Sequence, residues 1–163
     1  MAQEIEARRE ESFRPDIGER KRWMGILARA PREALEGAWA DLDGQPGYEW
    51  LRKPEIGLVM VRGRAGGTGQ PFNLGEMTVT RCAVRLADGT SGHAYIGGRD
   101  RRCAELAAVF DALMQQPERR ETLKRTVVDP LAAAQAERRR LRSRKAASTK
   151  VDFFTLVRGG NPK

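Results

Sequence analysis

The stretch GLVMVRGRAGGTGQPFNLGEMTVTRCAVRLADGTSGHAYIGGRD, residues 57–100, decides the fold. It opens with an extended apolar run at 57–65, with a further extended piece before it at about 48–53. The series Gly66-Gly67-Thr68-Gly69-Gln70-Pro71 then breaks the run. A third strand is expected over about 77–86, where Val79, Cys82 and Val84 suit a pleated surface. Asp88-Gly89 signals a two-residue hairpin, because both turn positions need positive φ, so 90–97 should return antiparallel. If Ala87 faces Thr90, Val84 pairs with His93 and Cys82 with Tyr95, and all four side chains share one face; a one-residue slip separates them.

Helices flank this block. Trp23, Ile26, Leu27 and Ala30 recur at i, i+3, i+4 and i+7 on a short helix from about residue 22. Pro31 suits the start of a second helix that buries Leu35, Ala38, Trp39 and Leu42. After the block, Asp100 is an N-cap candidate for the clearest helix, whose stripe of Cys103, Leu106, Ala107, Phe110, Leu113 and Met114 ends near Gln116-Pro117. Pro130 can open a further helix to about Ala147, with Leu131 and Leu141 its only large apolar residues. The expected class is α+β: a small antiparallel sheet packed with helices, plus a C-terminal helical arm and apolar tail. The division is a solvated tail at 1–21, an α+β core at 22–130, and the helix and arm at 131–163.

At 163 residues, 40% hydrophobic and 32% charged, the chain suits one modest core with much of its length at a surface. No stretch approaches the roughly 20 apolar residues of a membrane span, and 1–22 lack the apolar middle of a secretory signal, so a cytoplasmic protein is expected. Two cysteines and one histidine make neither a disulfide frame nor a zinc site. Seven basic residues stand against Glu137 alone in 131–150, which places +6 of the net +8 there. Such a face fits nucleic acid, a phosphorylated ligand or an acidic partner.

Several segments together resemble a known family. Arg22-Trp23-Met24 with Ile26-Leu27-Ala28, the central block, DALMQQ, PLAAAQAERR and the terminal VDFFTLVRGG are similar in order and spacing to PhnG, the G subunits of the bacterial carbon-phosphorus lyase core complex. The resemblance implies an accessory subunit that assembles with PhnI-, PhnH- and PhnJ-type subunits. In that family the I subunit, supported by its partners, displaces adenine from MgATP with methylphosphonate to give ribose 1-methylphosphonate 5-triphosphate. The J subunit later breaks the carbon-phosphorus bond with an iron-sulfur cluster and S-adenosylmethionine. The expectation for this chain is no cofactor, no metal and no catalytic residue of its own.

Four local features are candidate sites. The loop of Gly66, Gly67, Thr68 and Gly69, beside Arg62 and Arg64, has backbone N–H groups suited to a phosphate; it lacks the lysine and following helix of a P-loop, and a plain strand connector is the default. Cys82 and His93 would be diagonal neighbours in the inferred register, a nucleophile and base pair whose ordinary alternative is a buried thiol beside a sheet histidine. Arg81 and Arg99 suit an anion or ordinary surface ion pairs. Val151, Phe153, Phe154, Leu156 and Val157 need burial, and a partner subunit could supply it by accepting the arm as a strand. The competing function is a small nucleic-acid-binding protein using residues 138–145 on phosphates, against which no aromatic residue interleaves with the basic run.

Overall fold

A computed structural model describes residues 15–148. The order is α1 (Ile17–Leu27), α2 (Arg32–Ala40), β1 (Tyr48–Arg64), a 3₁₀ turn (Ala65–Gly67), β2 (Pro71–Leu86), β3 (Ser91–Gly97), α3 (Arg101–Gln115), α4 (Pro117–Leu123), a π turn (Lys124–Val128) and α5 (Asp129–Ser148). The α+β expectation holds: one antiparallel sheet in the order β1-β2-β3 packs with helices.

Asp100 caps α3 as its position implies, its carboxylate accepting from the Cys103 N–H at 2.9 Å. Every residue of α3 from Cys103 to Met114 is buried, because the helix lies between the sheet and a shell made by α1, α2 and α4. Ala104, Ala107, Ala108 and Ala112 keep its surface slim. On the sheet side Gly92 lies so close to the Ala108 carbonyl and the Ala112 backbone that a β-carbon there would overlap both. Trp23, Ile26, Leu27, Ala30 and Leu35 complete the core.

Three expectations are corrected. The hairpin between β2 and β3 has a three-residue loop: Leu86 N–H donates to the Thr90 carbonyl at 2.9 Å, and Gly89 alone takes positive φ, +88°. Only one residue of Asp88-Gly89 needs the left-handed region, so the loop closes one residue wider than the two-residue form. The register therefore pairs Cys82 with Ala94, Ala83 with His93 and Arg81 with Tyr95. Next, α1 begins at Ile17, five residues before the expected boundary, because Asp16 caps it by accepting from Gly18 and Glu19 N–H groups. Finally, Pro130 does not open a helix. Helical structure runs from Pro117 through the π turn, and Pro130 is the second residue of α5.

The π turn has a visible cause. Proline cannot donate to the carbonyl four residues back, and its ring clashes with that carbonyl in a regular helix. In the turn, Asp129 N–H reaches back five residues to the Lys124 carbonyl, which widens the helix immediately before the proline. Leu123, Val127, Val128 and Leu131 are all buried although they fall at i, i+4, i+5 and i+8, one residue longer than an α-helical stripe.

Candidate functional site

β1 and β2 are far longer than β3. Pairing with β3 ends at Val79–Gly97, while β1 and β2 continue together to Arg64–Pro71 as a two-stranded ribbon. An isolated pair of strands is marginal in water unless a face of it is covered. Here Ile56, Leu58 and Met60 lie opposite Thr80, Thr78 and Glu76, on the face that carries buried Thr80, Cys82 and Val84 further along β2. Beyond the helices nothing among the described residues covers that face. On it Leu58 and Met60 are 62% and 52% exposed, while Met77 and Phe72, opposite Val59 and Gly63 on the other face, are nearly half exposed. Such a run of large apolar side chains marks an interaction surface rather than scattered surface hydrophobics.

The base of the ribbon is held firmly. Glu105 on α3 accepts from the Tyr48 hydroxyl at 3.0 Å and Trp50 Nε1 at 3.0 Å, and is paired with Arg102 at 2.8 Å. Burial, then the Glu105 hydrogen bond, pushes the Tyr48 hydroxyl above its usual range, so it stays a donor. On the outer sheet face Glu55 bridges Arg52 and Arg81, whose hydrogen bonds hold its carboxyl below the usual range. Arg81 thus sits in an ion-pair network beside Tyr95, not at a vacant anion site.

The two edges of the sheet differ. Asp111 is fully buried; its carboxylate accepts from Arg20 Nη2 at 2.8 Å, Arg20 Nε at 3.2 Å, Trp23 Nε1 at 2.9 Å and the His93 backbone N–H at 2.9 Å. Gln115 Nε2 donates to the Ser91 carbonyl at 2.8 Å. Side chains of α3 therefore cap the free edge of β3. Local sequence gave no signal for Asp111, which interrupts an apolar stripe and takes its arginine and tryptophan partners from 91 and 88 residues away. The outer edge of β1 has no neighbouring strand among the described residues.

The sequence-derived candidates fall as follows. Gly66, Gly67, Thr68 and Gly69 form the ribbon tip, with φ of +59° and +82° at Gly66 and Gly67. Arg64 Nη1 donates to the Gly69 carbonyl at 3.1 Å, so that guanidinium is engaged within the loop. Cys82 and His93 are separated: Cys82 is buried on the helix side and His93 is exposed on the other face. Burial, with Glu105 adding to it, pushes the Cys82 thiol up to about 11, which keeps it protonated at neutral pH. Val151, Phe153, Phe154, Leu156 and Val157 lie outside the described residues. Among the described residues there is no cluster of three metal-ligating side chains, and no helix is long and apolar enough to cross a membrane.

The geometry is that of a docking subunit: a firm core, a projecting apolar ribbon and an open strand edge. Comparison with known proteins agrees. The family model described as "Phosphonate metabolism protein PhnG" matches residues 18–159. The chain is 46% identical over 143 residues to alpha-D-ribose 1-methylphosphonate 5-triphosphate synthase subunit PhnG of Rhizobium meliloti (strain 1021), covering 88% of this chain and 91% of that protein.

Proposed function

The chain belongs to the PhnG family of phosphonate metabolism proteins, and on that premise we propose that it is an accessory subunit of ribose 1-methylphosphonate 5-triphosphate synthase whose ribbon docks a partner subunit. The observation that carries the role is near full-length similarity to a named subunit of that transferase. The ribbon supplies the means: an apolar face continuous with the core face of the sheet, beside an unpaired strand edge that can accept a partner's strand.

The partner of choice is a PhnI-type subunit, within a cytoplasmic assembly that also holds PhnH- and PhnJ-type subunits. In this reading MgATP and methylphosphonate react in the complex, and the iron-sulfur cluster and S-adenosylmethionine belong to the J-type subunit. This chain organises the assembly and contributes no acid, base or metal of its own. The apolar segment at 151–158 is proposed as a second contact on the same partner.

Co-purification with a PhnI-type subunit tests this. Leu58→Glu/Met60→Glu should weaken capture by about tenfold or more, since large apolar residues at the centre of an interface dominate its energy. Far-UV circular dichroism should be unchanged, because both side chains lie outside the core. Deleting 149–163 should weaken capture independently. Undiminished capture by the ribbon variant would show that the partner docks elsewhere.

A further inference from the structure

α5 reads as polar all round, yet one of its faces is ordered. Gln135, Arg138, Arg139 and Arg142 fall at i, i+3, i+4 and i+7 and continue the line of buried Leu131. Gln135 Nε2 donates to the Ile26 carbonyl at 2.8 Å, which fixes this face against the end of α1. Opposite it stand Arg29 and Arg32, with Ile96 and Cys103 at the floor, and together they enclose a cavity of about 550 Å³.

Five guanidinium groups line that cavity against one carboxylate, Asp100, and one of the five, Arg32, is also paired with Glu36 at 2.9 Å. Asp100 is already engaged as the α3 cap and lies 3.9 Å from Arg32. Among the described residues no carboxylate pairs with Arg29, Arg138, Arg139 or Arg142. On another face of the same helix, Arg140 and Arg144 meet Glu137 at 3.1 and 3.8 Å. An adjoining depression is lined by Arg32, Arg99, Arg101 and Arg102 around the capping carboxylate of Asp100, with Arg102 paired to Glu105. Like charges gathered on one cleft oppose folding, and an anion bound among them relieves that repulsion.

We propose that this cleft binds the triphosphate end of a small phosphorylated ligand. With Asp100 and the Glu36 partner of Arg32 both counted, the excess of three positive charges suits a triphosphate better than a single phosphate, which carries about −2. Guanidinium groups bind phosphate oxygens in pairs, and the volume falls within the range of small-molecule sites. Among the described residues no aromatic side chain lines the cleft to stack the bases of a nucleic-acid strand. The site stands on geometry alone; only the choice of the synthase's own ATP or ribose triphosphate as occupant rests on the family reading.

Calorimetric titration of the full-length chain with inorganic tripolyphosphate and with ATP tests the site. The variants are Arg138→Ala/Arg142→Ala and the charge-matched Arg140→Ala/Arg144→Ala, both retaining a good helix former. Saturable binding is expected, weakened about tenfold or more in the first variant and by less than about twofold in the second. Equal affinities for the two ligands assign the site to the phosphate chain, and tighter ATP binding extends it to the nucleoside. No binding, or equal weakening in both variants, overturns the proposal, as does tighter binding of a single-stranded oligonucleotide than of ATP. Capture of the PhnI-type subunit by the same variants reads the docking role separately, so the two failures are distinguishable.

Discussion

Asp111 shows how much one side chain can hold in place. Its carboxylate joins α1, α3 and the edge of β3 through four donors, with no solvent to take over if it is removed. Asp111→Ala strands a partly buried guanidinium, an indole N–H and a backbone N–H at once, and should cost about 3–5 kcal/mol in urea unfolding. A loss below about 1 kcal/mol would mean that water replaces the carboxylate. None of this was legible locally, since periodicity marks apolar faces and is silent on a charge whose partners are distant in sequence. The same scale explains the separation of Cys82 and His93. One residue in the hairpin loop decides which face each occupies, and Asp88-Gly89 is compatible with both loop lengths.

Elements with a strong local signal were readable: the Asp100 cap, the apolar stripe of α3, Pro31 ahead of α2, and the Gly66–Gly69 break between long strands. What escaped was helix across residues 117–129, where proline reads as a start although here it is carried inside a longer helix. The π turn and Pro130 are a matched pair, one absorbing the residue and carbonyl clash the other imposes. Deleting Thr126 alone should regularise the stripe to i, i+3, i+4 and i+7 but return the clash, costing about 3 kcal/mol. Adding Pro130→Ala to the deletion should restore most of that loss in thermal unfolding. Additive losses would show that the wide turn has another cause. The basic face of α5 was visible as charge, but its division into a paired and an unpaired side needed the helix placed against α1.

At the scale of the whole molecule, the two edges of one sheet have opposite fates. The β3 edge is capped by Asp111 and Gln115, while β1 runs 17 residues with no strand on its outer side among the described residues. Arg52, Lys53 and Pro54 blunt its base, but residues 56–61, IGLVMV, carry no charge and no proline. That segment is a template for copies of itself as well as for a partner. Light scattering of the isolated chain should therefore rise with concentration, fall when a PhnI-type subunit is added, and be suppressed by Leu58→Lys; a monomer at all concentrations would refute this. An orphan copy is then a hazard to its own cell, and the safe course is synthesis in step with its partner, so that the sticky strand is claimed soon after it leaves the ribosome.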